Sequence, residues 1–271
     1  MKGIKKMEKI ENVENAGYLF YKKYFNISYD HISVDKDVHK KILELDLSKV
    51  KSFISGNNLD ISLQKKENIK SFKLRTTYPG LLIGSGYPHD SFHDSAQNEG
   101  NEGFKIGFFF DYSTGLPIIH GSSIKGVLKN YLSDKSDGDE SYFKYLIADL
   151  FPQKKDEINR GNFIEKVFNG MDLTGKYLSI YERDIFLDAI PISGGRFFGE
   201  DYITPHLDEL RNPVPIKFLK VMPDIGYKFN FILKNDEYLK VSADDKLNIF
   251  KKVITDIGLG AKTNVGYGKF V

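Results

Sequence analysis

The C-terminal stretch Gly258-Leu259-Gly260-Ala261-Lys262-Thr263-Asn264-Val265-Gly266-Tyr267-Gly268-Lys269-Phe270 sets the tightest limits on the fold. Four glycines fall within eleven residues, so the backbone must turn repeatedly there, through conformations that residues with a Cβ avoid. Consecutive N–H groups in such a loop can converge on an anion. Lys262 adds a point charge, Thr263 and Asn264 add polar groups, and Tyr267 offers a flat ring to a base. The stretch reads as a phosphate holder, and equally as a structural turn joining a helix to a last strand. A mononucleotide P-loop does not fit. That motif requires a glycine directly before Lys-Ser/Thr and a second glycine upstream at fixed spacing. Ala261 and Asp256 occupy those positions, and too little chain follows Thr263 for a helix.

A second glycine-bounded motif lies mid-chain, Gly121-Ser122-Ser123-Ile124-Lys125-Gly126, just after His120. Ser122 or Ser123 is a natural N-cap for a helix carrying Val127, Leu128 and Tyr131. A helix start offers free N–H groups and a partial positive charge, so with two serines and Lys125 it is a second candidate anion site. An ordinary serine cap is the plain alternative.

Around these motifs the periodicity predicts a mixed chain. Residues 8–25 read as a helix ending in the rings Tyr18, Phe20, Tyr21, Tyr24 and Phe25, whose helical spacing is that of core packing. A second helix is expected from Val38 to Phe53, stopped by Gly56-Asn57-Asn58. Strands are expected at Phe72–Thr77, resumed at Leu81–Ile83 after Pro79-Gly80, at Phe104–Asp111, and within Lys176–Ile190. Ile216–Val221 and Tyr227–Lys234 read as a hairpin about Pro223-Asp224-Ile225-Gly226, with lysines along one face. Helices are expected at Tyr142–Phe151 and 156–169, and an amphipathic one at 243–257 leads into the glycine loop. Residues 134–140 are acidic.

The polar segment 84–103 carries His89, Asp90, His93, Asp94, Asn98, Glu99 and Glu102. Two histidines four apart suit zinc only on a helix, which Pro88, Ser91 and the flanking glycines oppose. An exposed, solvated loop is the expectation, with no metal. Asp184 and Asp188 share strand parity and could face the same side as paired carboxylates, although lone carboxylates on a solvated strand are commoner.

Composition narrows the function. The 271 residues suffice for a sizeable core, with 41% hydrophobic and 14% aromatic content. The absence of cysteine excludes disulfides, thiolate metal sites and thiol catalysis. No apolar run has membrane-spanning length and the N-terminus lacks an apolar signal core, so a cytoplasmic protein is expected. The net charge of +2 argues against a uniformly basic surface but leaves room for a local basic groove. With only five arginines (Arg75, Arg160, Arg183, Arg196, Arg211), phosphate contacts would come mainly from lysines and backbone amides.

Taken together and in this order, the two motifs resemble those of the repeat-associated RNA-binding superfamily of CRISPR systems, the RAMP proteins. The segments Phe186-Leu187-Asp188-Ala189-Ile190-Pro191, Thr204-Pro205-His206 and Asn212-Pro213-Val214-Pro215-Ile216 look like those of terminal RAMP subunits of type III-B (Cmr) effector complexes. The resemblance covers roughly residues 72–271. It implies an α+β, ferredoxin-like (RRM-like) core, an antiparallel sheet with helices on one face. It also implies one domain over 1–271, with a helical N-terminal elaboration at 1–70 and a helical insertion at 132–180. The implied role is a non-catalytic, cofactor-free binding subunit that caps a filament near the guide's 3′ end. Guide RNA (crRNA), target RNA, other RAMP proteins and small subunits would be its partners, with no membrane. The implied RNA-contacting residues are Gly121, Ser122, Ser123, Lys125 and Gly126 in one site. Gly258, Gly260, Lys262, Thr263, Asn264, Gly266, Tyr267 and Gly268 would form the other. Two rivals stand beside this reading. One is a RAMP endoribonuclease using Asp90 or Asp94, or a histidine such as His120 as general base. The other is a protein-binding module with no RNA contact.

Overall fold

A computed structural model describes residues 15–27, 32–46, 69–89, 103–133, 141–204 and 215–271. Outside them lie the expected helix portions 8–14 and 47–53, the stop at Gly56–Asn58 and the acidic run 134–140. His31, Asp90, His93, Asp94, Asn98, Glu99, Glu102, His206 and Asn212–Val214 also lie outside the described residues.

The strands are β1 (Phe25–Ile27), β2 (Ile32–Val34), β3 (Ile69–Arg75), β4 (Ile185–Phe186), β5 (Ile190–Ser193), β6 (Phe198–Ile203), β7 (Ile216–Val221) and β8 (Gly226–Ile232). The helices are α1 (Ala16–Tyr18, continued as a π-helical turn Leu19–Lys23), α2 (Lys36–Leu43), α3 (Gly121–Ser133), α4 (Tyr142–Leu150), α5 (Arg160–Phe163, continued to Asn169) and α6 (Ala243–Ile257).

Strand β8 is central because five of its seven residues are buried, Tyr227, Phe229 and Phe231 on one face and Gly226 and Asn230 on the other. It pairs antiparallel with β3, from Ile69↔Ile232 to Arg75↔Gly226. On its far side lie β4 and β5. The chain end closes the other edge: Arg75 and Val271 exchange N–H···O bonds of 2.7 and 2.9 Å. Along the chain this gives strand β3, helix α3, strands β4 and β5, strand β8, helix α6 and the terminal strand segment, the βαββαβ order of a ferredoxin-like fold. Helices α3 and α6 pack together, α3 against β4 and α6 against β3. Ile124, Leu128 and Leu132 of α3 join Ile249, Phe250, Val253 and Ile254 of α6 in one core, where Phe250 meets Phe186 and Phe231 at 5.4 Å each.

Helix α6 forms where the 3.6-residue period predicts it. Ser242 and Asp245 close a capping box at its start, and Gly258 ends it at φ 87°. Helix α4 starts on a Ser141 cap and stops before Pro152. The α5 segment ends on Gly170 in the left-handed conformation. The N-terminal rings pack as expected: Phe20 and Tyr24 are buried, and Phe20 stacks on Phe104 at 5.8 Å.

Three expectations are corrected. Ile216–Val221 and Tyr227–Lys234 do not form a hairpin with each other. Instead β7 pairs with β6, Phe198↔Val221 to Ile203↔Ile216, while β8 enters the main sheet. The Thr76 hydroxyl sits between them, donating to Met222 O at 2.9 Å and accepting from Ile225 N at 3.0 Å, and there the chain changes sheets. Phe104–Asp111 is not a strand either. Phe104, Phe108 and Phe110 are all buried in a coiled segment that makes an isolated bridge at Phe110↔Pro117 and one bond to β7, from Lys105 N to Lys217 O at 2.9 Å. Leu81–Ile83 reduces to a single bridge, Leu81↔Val221.

Candidate nucleic-acid interface

The glycine loop leaves α6 at Gly258, crosses the end of the sheet and returns beside β3. Its base is locked by main-chain bonds. Leu259 N donates to Gly268 O at 2.9 Å, Gly268 N to Gly80 O at 2.8 Å, and Ala261 N to Leu82 O at 2.7 Å. Gly258, Gly260, Gly266 and Gly268 all have positive φ. At three of them a Cβ would be driven into a backbone carbonyl: Gly258 into that of Gly268, Gly260 into that of Leu82, Gly268 into that of Leu259. These three glycines are therefore required by the protein's own close backbone approach. Gly266 needs glycine only for its φ of 100°.

The tip is different. Lys262 is exposed and left-handed, at φ 59° and ψ 36°, an uncommon conformation for a residue with a side chain. It opens a short 3₁₀ turn, Thr263–Val265, whose start is formed by the amides of Thr263 and Asn264. Among the described residues, no hydrogen bond engages the N–H of Lys262, Thr263 or Asn264, nor the Lys262 ammonium. Successive unengaged N–H groups beside an unpaired cation are the parts from which an anion-binding turn can be built.

Tyr267 does not offer a stacking face. Its ring is buried against Phe218 at 5.7 Å, and its hydroxyl donates to Asp201 Oδ2 at 2.7 Å. Burial and the Asp201 carboxylate both push its pKa up. Burial works against the charge on Asp201. The Lys220 ammonium at 2.7 Å, the Tyr267 hydroxyl and the Tyr202 amide outweigh it and hold that carboxyl below the ordinary value. Asp201, which no motif marks, thus ties the loop to β6. The exposed ring at this end belongs to Tyr78, 85% accessible, in the turn that packs Pro79 against Gly266.

The second motif is also rearranged. Helix α3 begins at Gly121, with Ile124 N bonded to His120 O at 3.0 Å, so Ser122 and Ser123 are exposed first-turn residues rather than caps. The Gly121 amide is taken by Asp188 Oδ1 at 2.7 Å. The protein's own carboxylate thus engages one of the N–H groups at the helix end expected to take a phosphate. Gly121 itself is needed because its Cβ would strike the Phe186 carbonyl. Gly126 has no such need: nothing lies within 4 Å of the position its Cβ would take. Ser122, Lys125, Gly126 and Lys129 follow helical spacing on one flank of α3. Lys125 runs over the Phe186 ring at 5.7 Å. Burial, then the nearby Lys129 and Arg183, lower its pKa from the ordinary lysine value. Among the described residues no hydrogen bond, ion pair or ring contact joins 121–126 to 258–268.

The remaining candidates are structural. His89 is not exposed: it is buried, stacked on Phe20 at 4.1 Å, with Nε2 3.0 Å from Phe20 O and Nδ1 accepting from Phe104 N. His39 bonds the Tyr24 hydroxyl, and its Nε2 lies 3.2 Å from Glu200 Oε2. Asp184 does not lie on a solvated face. It forms a buried pair with Lys246 at 2.6 Å, both side chains 3% exposed, and burial raises its pKa. Asp188 caps α3, so the two aspartates do not act as a pair. No group of three potential metal ligands occurs among the described residues, and no described helix is long and apolar enough to cross a membrane.

Comparison with known proteins finds a relative in sequence and a similar fold. The CRISPR system CMR subunit Cmr6 of Saccharolobus solfataricus is 26% identical over 233 residues, spanning 84% of this chain and 66% of that relative, just under two thirds of its length. A chain from the cryo-EM structure of the Type III-B Cmr-beta bound to cognate target RNA superposes with a TM-score of 0.52 at 22% identity, covering 87% of this chain and 73% of its own. The crystal structure of Cmr6 from Pyrococcus furiosus gives a TM-score of 0.42 at 22% identity, with 75% and 97% covered. The RAMP superfamily model matches residues 73–271, well over half the chain and all of the ferredoxin-like core from within β3 onward, and the protein therefore belongs to the RAMP superfamily.

Proposed function

We propose that this chain is a non-catalytic RNA-binding subunit of a type III-B CRISPR ribonucleoprotein in the cytoplasm. It caps the backbone filament near the 3′ end of the guide RNA. Other RAMP proteins, small subunits, guide RNA and target RNA are its partners. The observation that carries the reading is the tip of the glycine loop. Lys262 and the amides of Lys262, Thr263 and Asn264 stand unengaged on a base held rigid from within. Such a turn suits a sugar–phosphate strand irrespective of base, which fits a protein that positions RNA while base pairing reads the target. Ser122, Lys125 and Gly126 supply a second contact along α3. The test is a salt titration of binding to labelled single-stranded RNA. Lys262→Ala and Lys125→Ala should each flatten the dependence of log K on log salt by about 0.7. An unchanged affinity and slope in the double variant would remove the basis of the assignment.

A second reading, an endoribonuclease, draws on one observation. His120 Nδ1 lies 3.6 Å from Asp188 Oδ1, the ring packed on Phe109. That separation exceeds a hydrogen bond, and the same oxygen already accepts from the Gly121 amide. Helix capping accounts for the pair better than a general base does. RNA cleavage abolished by His120→Ala would reverse that preference.

A further inference from the structure

Beyond Arg75 the chain of β3 enters a turn, Thr77–Gly80, that is bound into the base of the glycine loop at both ends. Thr77 N donates to Lys269 O at 3.0 Å and its hydroxyl to the same carbonyl at 3.3 Å. Gly80 N closes the turn on Thr77 O at 2.7 Å, and Gly80 O accepts from Gly268 N at 2.8 Å. The turn cannot settle elsewhere without loss, because Gly80 passes so close to the Val221 carbonyl that a Cβ would strike it. Thr76 and Gly80 are buried, and between them the Tyr78 ring stands 85% accessible. Among the described residues no hydrogen bond engages its hydroxyl. Pro79 packs against Gly266, its Cδ 3.5 Å from where a Cβ would stand, and the neighbour on the loop side, Val265, is 68% accessible. Two exposed apolar side chains thus flank one contact between turn and loop. Gly266 also ends the short turn that opens at Lys262. At a 3₁₀ rise of about 2 Å per residue their backbones lie about 8 Å apart, a gap that one nucleotide bridges. A singly exposed tyrosine is ordinary. Here the backbone beneath it is fixed, and the unengaged amides of Lys262, Thr263 and Asn264 stand beside it.

We infer that Tyr78 is the base platform of the glycine-loop site: a nucleobase of the RNA strand stacks on its ring while the loop tip holds the adjoining phosphate. The inference rests on the RNA-binding reading above and adds the base contact that the buried Tyr267 cannot supply. Stacking on an aromatic side chain tolerates any base, because every base has a π-face. A tyrosine ring has only two side-chain torsions to fix, so little ordering opposes the contact.

The experiment uses the full chain with two fluorescein-labelled probes, an oligouridylate and a strand of the same length without bases, each in a salt series. Tyr78→Leu keeps apolar bulk but loses the flat face, and Tyr78→Phe keeps the face. Tyr78→Leu should bind the oligouridylate about tenfold more weakly, with the salt slope unchanged because no charge is lost. Tyr78→Phe should bind it as the parent does. The baseless strand should bind the parent and Tyr78→Leu alike. An equal loss on both strands would make Tyr78 a support of the loop and overturn the stacking role. Undiminished affinity in Tyr78→Leu, while Lys262→Ala still flattens the slope, also overturns it and leaves the phosphate reading standing. That is the outcome if the ring docks a protein side chain instead. If neither substitution has an effect, both readings fall together.

Discussion

Gly126→Ala should move stability and RNA binding in opposite directions. Gly126 lies inside α3, exposed, with open space around its missing side chain. Its φ is not in the positive range, so alanine fits without strain. An exposed helix-interior glycine is disfavoured against alanine by about 1 kcal/mol. The substitution should therefore stabilise the protein by about that amount, or raise Tm by about 2 °C in a chain of this size. A glycine kept at that cost makes sense where another molecule's backbone comes close. The added methyl should obstruct that approach and weaken RNA binding about tenfold, or about 1.4 kcal/mol. Circular dichroism melting and fluorescence anisotropy at fixed salt read the two effects on one sample. A fall in Tm would mean that this side of α3 is covered rather than open. A rise in Tm with undiminished RNA affinity would mean that Gly126 admits no strand, and the flank of α3 would lose its place in the interface.

Lys246→Met should lower stability by about 3–5 kcal/mol, because it strands the Asp184 carboxylate in the core; urea unfolding measures this, and adding Asp184→Leu should restore most of the loss. Tyr267→Phe should lower stability by about 1 kcal/mol through the lost bond to Asp201, with RNA affinity nearly unchanged because the ring is already buried. Asp201 has a folded pKa below its unfolded value. Its contribution is therefore complete above about pH 4 and is lost as pH falls from there through the lower folded value, and a melting series across that range should be shallower in Asp201→Asn. Gly268→Ala should reduce stability and RNA binding together, since its Cβ strikes the Leu259 carbonyl, whereas Lys262→Ala should reduce binding alone.

Element identity was legible where the period was long and the caps were explicit. Residues 243–257 form α6 between the expected limits because an apolar stripe, a Ser–Asp capping box and a terminal glycine all agree. Partner choice was not legible. The alternation in 216–221 and 227–234 marks two strands but says nothing of what each pairs with, and one threonine hydroxyl from β3's end divides them between sheets. The phenylalanines of 104–110 mimic a strand because burial on successive turns of a coil leaves the same alternating trace. Within the site, the sequence marks Ser122, Ser123 and Tyr267 by residue type. Their roles depend on which carboxylates arrive from β6 and from the β4–β5 connection, and those lie far away in the chain.

The glycines of the two motifs therefore divide into two kinds, and the division changes how variants should be interpreted. Gly121, Gly258, Gly260 and Gly268 are glycine because another part of the same chain passes too close for a side chain. Replacing them dismantles the platform, so lost RNA binding in such variants would say nothing about contact. Gly126 and Gly266 meet no such obstruction, the second being constrained only by its positive φ. A loop whose base is held by the bonds of Leu259, Ala261 and Gly268 can hold Lys262 left-handed at its tip without help from a ligand. Pre-organisation of this kind lowers the ordering cost on binding, so a few unengaged amides and one lysine can hold a phosphate where a flexible loop of the same composition would not.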